Sequence, residues 1–590
     1  MAARLTAYLV VAIVAATLIA GLIVGAQRDD NDGPVDLIVR NAAVYTADRR
    51  GTVAEAVAVR GNQILRVGSN REISRLQRPQ TIVVDAEGGA VFPGFNDAHV
   101  DLIGGGLRMA MADLEGAETT ADVLDRVRGW SAANPGATWV VGRGWTPDQF
   151  KNGLPTRQML DSVVKDRPVL MYAADEGDRL IWVNSRALRL AGITRRTPEP
   201  ADGAILREGR RGEPSGVLRG AAAATVAALI PPPGREERAQ ALRAAIAAAN
   251  RHGITSAQNT ADSCEKNLDL FDEARRGGEM TLRVYCSVAV TPHRVAKEAD
   301  LAGYDEIRKR YPDDPLFKVG ALAFTVDGTL PARSAALLDP YTGTDESGNV
   351  LVDPDELNRA VRLADAAGWQ IVTHATGDRA VRMALTAYAH AIRSNRPPAH
   401  GRRHRLEHVA LVDETDMTRF APLGVTASMQ PSMMAADETG FELLAKSIGH
   451  ERAAQSFPIW RIAVETRLLL GSAWPAHTLD PLTTLERTLH PFSPAPGEPG
   501  DAAPAAPQPL KIKPAIDAYT AAGAWGSFDD QRKGSIAAGM LADLVVLSAD
   551  VLASPDKLES ASVAVTIFDG KIVHRRDGRS LTEPAPSFQH

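Results

Sequence analysis

Three histidines close apolar, strand-like runs in this chain, and carboxylates accompany them. In VFPGFNDAHVDL, His99 and Asp101 stand two residues apart, which puts both on one side of a strand. WQIVTHATGDRA supplies His374 and Asp378, RHRLEHVAL supplies His404 and His408, and FTVDG supplies Asp327. Imidazole and carboxylate donors suit zinc or a similar divalent ion, and His99, Asp101, His374 and His408 suffice for one tetrahedral site. A lone histidine at a strand end is more often hydrogen-bonded structure, so the metal reading rests on the four taken together. Asp327 and Asp378 lie beside glycine in turn sequences, where a carboxylate caps a loop. A further stretch, LLLGSAWPAHTLDP, runs from Leu468 to Pro481 and presents Ala473 just before Trp-Pro, a platform that carries only a methyl group.

Such side chains need strand ends that converge. Short apolar runs (RPVLMYAAD, GITSAQNT, LRVYCSVAV, KVGALAFTVDG, WQIVTHATG, GVTASMQPS, RLLLGSAW) alternate with amphipathic stretches such as EERAQALRAAIAAANRHG and DELNRAVRLADAAGW. Repeated β-then-α units of this number predict a closed β/α (TIM-like) barrel with reactive groups at the strand ends. Residues 35–90 and 535–580 are instead β-rich and punctuated by Gly, Asn and Asp, which predicts one small β-sandwich built from both ends of the chain, around a barrel spanning 91–534. Residues 491–509 are Pro- and Ala-rich without periodicity and predict a mobile surface loop.

The 590 residues carry a formal charge of −6, so no basic excess asks for nucleic acid. The sequence leaves a homo-oligomer open. Cys264 and Cys286 are too few for a disulfide framework and lack metal-ligand spacing, which favours two small buried thiols. From Leu5 to Ala26 no residue is charged, with Arg4 before the run and QRDDND after it. Residues 1–30 therefore read as a transmembrane anchor that places the body outside the cytoplasm, or, through the small residues Val24 to Ala26, as a signal that is cleaved to release it.

The motifs VFPGFNDAHVDL, VDGTLPARSAALLDPY, HATGDRAV, RHRLEHVALV, GVTASMQPS, GSAWP…LDPL and KGSIAAGMLADLVVL, in this order, resemble the amidohydrolase superfamily, in its family 3 branch of YtcJ-like proteins and N-substituted formamide deformylase. The resemblance implies a β/α barrel with a terminal β-sandwich and one or two divalent metals. These are held by a His-x-His pair, a bridging lysine, two later histidines and a last-strand aspartate. The metal activates water for attack on an amide-like C–N bond, and the aspartate carries the proton. The chain departs from this pattern where the second histidine is Asp101, the lysine is Ala323 and the aspartate is Ala473. In DEGDRLIWVNS, Asp178 or Arg179 also stands where the family often has a histidine. Two readings follow. One is a hydrolase of non-peptide C–N bonds acting on a small molecule through one remodelled metal site, zinc by donor type, with His477 as substitute proton carrier. The other is a membrane-tethered, catalytically inactive binding or scaffolding protein. A polar loop residue such as His477 is more often merely solvated.

Overall fold

The computed structural model describes residues 34–576, apart from 152, 175–179, 261–263 and 493–508, together with 581–582. The Leu5–Ala26 run, Asp178 and Arg179, and nearly all of the Pro-rich segment lie outside the described residues. Among the described residues no helix is long and apolar enough to cross a membrane.

Eight parallel strands form the central sheet: β1 (Phe95–Val100), β2 (Ile254–Asn259), β3 (Arg283–Ala289), β4 (Phe317–Thr325), β5 (Gln370–Ala375), β6 (Arg405–His408), β7 (Thr426–Met429) and β8 (Leu468–Leu470). Each pairs with the next in chain order. The ring closes beyond the end of β8, where Val100 and Trp474 form a parallel bridge and Asp101 N donates to Trp474 O at 2.8 Å. Helices α1 (Leu102–Met109), α2 (Arg235–Arg251), α3 (Pro354–Ala366) and α4 (Asp378–Ser394) are among those packed outside. Their apolar residues recur at helical spacing, as with Leu357, Ala360, Val361 and Ala364 of α3. Asp353 caps α3 by accepting from Asp355 N and Glu356 N, and Pro354 sits at the first helical position where its missing N–H costs nothing.

The two ends of the chain share a pair of sheets. In the first, Leu581–Thr582 pairs with Ile82–Asp85 beside Leu37–Arg40. In the second, Leu544–Leu547 lies between Val563–Phe568 and Ala90–Pro93. Val, Ile and Leu from both sheets meet in one core that includes Val39, Val57, Val91, Leu544 and Val565.

Two expectations change here. RPVLMYAAD is not a barrel strand: Val169–Ala173 belongs to a separate six-stranded sheet between residues 112 and 220, inserted after α1 and built around Trp145, Trp182 and Phe150. A short apolar run marks a buried strand but not which sheet receives it. Cys264 and Cys286 are both buried, but they form a disulfide, with Cα atoms 6.1 Å apart. Cys286 is paired in register with Asn259 at the end of β2, so the barrel brings together two thiols 22 residues apart in sequence. A cross-link of that span restricts the unfolded chain by about 3 kcal/mol. Reduction, or the Cys264→Ala, Cys286→Ala pair, is expected to lower unfolding free energy by that order in a denaturant titration; equal midpoints with and without reductant would contradict this.

Candidate metal centre

The centre is assembled from β1, β5 and β6. Alternation along β1 places Asp97 and His99 on one face, and Asp97 is fully buried beneath His99. Asp97 Oδ1 accepts from His99 N and from Ser472 N, each at 3.0 Å, which ties the end of the first strand to that of the last. The contact is tight enough to demand glycine at 471, where a Cβ would lie 2.6 Å from His99 N. Burial pushes the Asp97 carboxyl up to about 6, against the pull of its Ser472 and His99 hydrogen bonds.

His374, the penultimate residue of β5, stands opposite Glu407 in register, and His408 follows Glu407 on β6. Two successive strand residues would ordinarily face opposite sides. His408 and Val409 take φ of +73° and +49°, a left-handed turn of the backbone that brings Glu407 and His408 to the same centre.

The three imidazoles form a nearly equilateral triangle, with ring centroids 5.1 Å (His99 to His374), 4.9 Å (His99 to His408) and 5.2 Å (His374 to His408) apart. One nitrogen from each lies within 4.8 Å of the others, and His408 Nε2 is 3.3 Å from His374 Nδ1. Two nitrogens bonded to one tetrahedral zinc at ~2.0–2.1 Å stand ~3.3 Å apart, so this edge fits the ion. Burial, reinforced by His99 and by His408, holds the His374 pKa well below the usual histidine value; burial and His99 lower His408 to about 4. Both rings are therefore neutral near pH 7, the form that binds metal.

Behind the triangle lies a buried polar frame. Glu407 Oε2 is 2.9 Å from His99 Nδ1, and Thr260 Oγ1 is 3.1 Å from the same nitrogen. Gln430 Oε1 is 2.9 Å from His408 Nδ1. Arg405 Nε lies 2.6 Å from Glu407 Oε1 with both side chains fully buried, and the guanidinium also bonds Gln258 and Ala98 O. Burial alone would raise the Glu407 carboxyl, but Arg405 and His99 outweigh it and hold it well below the usual range. Removing one partner of such a pair strands the other charge. Arg405→Met is expected to cost about 3–5 kcal/mol in denaturant unfolding, and a loss under about 1 kcal/mol would show that Glu407 finds another partner.

The other sequence candidates divide. Asp101 does not join the histidines among the close donor groups: the chain leaves the strand there, and its Oδ1 caps α1 by accepting from Gly104 N at 2.9 Å. A helix start beginning right after the strand claims the carboxylate that two-residue spacing assigned to metal. His404 is buried away from the centre, accepting from Ile371 N and lying 3.0 Å from Asp365. Asp327 accepts from Thr376, Gly377 and Ala336 N–H groups, and Asp378 from Leu338 and Arg379 N–H groups, so both cap loops. His477 lies on the loop after the cis Trp474–Pro475 bond, half-buried; burial and then Arg487 lower its pKa.

Ala473 sits where β8 ends, its N–H donated to His99 O at 2.9 Å and its backbone at φ +56°. Ala323 on β4 is buried against Tyr285, Ala321 and Val372. Neither methyl can bind an ion or carry a proton. A groove of about 820 Å³ lined by Asp36, Asn62, Asp569, Lys571 and Arg575 lies in the β-sandwich and shares no residue with the histidines.

Sequence reasoning passed over Glu407, Arg405, Gln430 and Thr260. Arg405 and Glu407, two residues apart on a strand ending in a candidate ligand, carried a readable signal: alternation turns both into the barrel.

Comparison with known proteins agrees with the architecture. The amidohydrolase family model matches residues 82–574. The chain is similar to LONG AFTER FAR-RED 3 of Arabidopsis thaliana, 29% identical over 548 residues (91% of each chain). It is similar to YtcJ of Bacillus subtilis, named as an amidohydrolase, 29% identical over 90% of this chain and 98% of that one. It is also similar to N-substituted formamide deformylase of Arthrobacter pascens, 27% identical over 92% and 99%. A solved metal-dependent hydrolase of Pyrococcus furiosus shares the fold with a TM-score of 0.68 at 22% identity, over 88% and 99% of the two chains. With the matched segment running from the first sandwich sheet through the whole barrel to the last sandwich strands, the chain belongs to the amidohydrolase family.

Proposed function

We propose that this chain is a mononuclear, metal-dependent hydrolase of non-peptide amide or formamide C–N bonds, with an attenuated proton-transfer apparatus. The observation that carries this reading is the convergence of His99, His374 and His408, with His408 Nε2 and His374 Nδ1 at 3.3 Å. Three converging imidazoles, two of them (His374 and His408) held neutral by burial, match the donor set of catalytic zinc, which takes three protein ligands and a water. When bound, the ion supplies Lewis-acid activation of water and polarises the scissile carbonyl. His99, His374 and His408 would hold it. Ala323 offers no bridge, which argues for one ion rather than two. With a methyl at 473, a ring nitrogen of His477 takes the proton that the family's aspartate would carry; its lowered pKa leaves it neutral and able to accept. The substrate class is supported by the relative named N-substituted formamide deformylase.

A second reading is favoured by the same two methyls: a barrel that binds a ligand without turning it over. Assay of zinc-loaded and chelator-treated protein on N-formyl and N-acyl amines separates the two. Slow, zinc-dependent release of the amine is the expected result, and full zinc occupancy with no turnover on a broad panel would leave only the binding module.

We also propose that the body lies outside the cytoplasm, held by the N-terminal apolar run. The Cys264–Cys286 disulfide supports this, because such bonds persist in oxidising compartments. Protease added to intact spheroplasts is expected to digest the protein; protection until lysis would refute this placement.

A further inference from the structure

On the reading that this centre holds a divalent ion, we propose that Glu407 and Gln430 are positioning residues that dictate which ring nitrogens face the ion. An imidazole offers a metal only its bare nitrogen, and the partner of the other nitrogen fixes which one is bare. Glu407 lies 2.6 Å from the Arg405 guanidinium, a group that keeps its protons, so its carboxylate acts purely as an acceptor. His99 Nδ1, 2.9 Å from Glu407 Oε2, therefore carries the hydrogen and leaves Nε2 bare.

Gln430 acts on the second ring by the same logic. Its amide nitrogen donates to Ser428 O at 3.2 Å, and a carbonyl can only accept, so the atom 2.9 Å from His408 Nδ1 is the amide oxygen. His408 Nδ1 is then the donor and Nε2 the bare nitrogen, which is the atom 3.3 Å from His374 Nδ1. The two positioning groups are joined to each other, Gln430 Nε2 lying 3.4 Å from Glu407 Oε2, and both are fully buried. One connected frame thus turns Nε2 of two different strands toward one point. With alanine at 323 and 473, no charged ligand from those positions grips the ion. The aim of the imidazole rings then governs affinity more than it would in a site with lysine and aspartate.

The test uses zinc alone, with affinity measured by chelator competition, and cobalt(II) as a spectroscopic probe. Three variants are compared with the wild-type chain: Glu407→Gln, Gln430→Leu, and Glu407→Leu combined with Arg405→Met, the last leaving no stranded buried charge. Loss of an outer partner typically costs about 10–100-fold in metal affinity. That loss is expected in each variant that melts cooperatively, together with a changed visible spectrum of the cobalt form. Variants that lower the melting temperature of the metal-free protein but keep wild-type zinc affinity and cobalt spectrum would overturn the inference while leaving the metal site standing. A wild-type chain that takes up no zinc would overturn the reading beneath it and this inference together.

Discussion

Ala473→Asp is expected to raise kcat for N-formyl amine hydrolysis by about 10²–10⁴, the range a positioned general acid–base contributes. The backbone is already shaped for the change. Ala473 adopts φ +56°, a left-handed conformation that costs an ordinary L-residue about 1–2 kcal/mol and that aspartate visits more readily than alanine. Its N–H is fixed to His99 O, so the new side chain would spring from a point anchored to a ligand strand. Ala473→Asn is the control: it shares the shape and the tolerance for positive φ but cannot carry the proton, and no gain is expected. A folded, zinc-loaded Ala473→Asp protein with unchanged kcat would show that proton transfer is not what limits this site. Restoring lysine at 323 is harder, because the methyl there packs directly against Tyr285 and Val372 and a longer chain must displace them.

The second large effect concerns the ion itself. His374→Ala and His408→Ala each remove one of three ligands, and the loss in zinc affinity is expected to exceed the ~10–100-fold that outer partners command. Zinc at about a hundred times its dissociation constant adds about 2.7 kcal/mol to the stability of a protein that binds it only when folded. The wild-type melting temperature should therefore rise with added zinc, and those of the two variants should not. His404→Ala serves as the contrast, since His404 is bound to Asp365 and Ile371 N away from the centre: it should weaken the fold while leaving zinc binding intact. Zinc-dependent stabilisation surviving in both ligand variants would remove the triangle from the account.

The barrel was legible because its signals are periodic and repeated: β-then-α alternation persists from β2 to β8, and strand ends announce themselves by polar residues after apolar runs. His99, His374 and His408 could be picked out for that reason. Asp101 could not be judged by the same rule, since two-residue spacing assumes that the strand continues and the chain instead enters α1 at Leu102. The inserted sheet was hidden because Val169–Ala173 has the same apolar character as a barrel strand. The disulfide was hidden because pairing depends on β2 and β3 lying side by side, a fact of the fold rather than of spacing. Glu407 and His408 reach one centre only through two left-handed residues that are not glycine, and no local pattern in RLEHV forecasts that.

The central claim is a single divalent ion held by three imidazoles. X-ray absorption at the zinc edge, combined with elemental analysis of the same sample, addresses it most directly. The account predicts one zinc per chain with three histidine nitrogens at ~2.0–2.1 Å and a light fourth ligand. Two zincs per chain, or none in the presence of excess zinc, would contradict it.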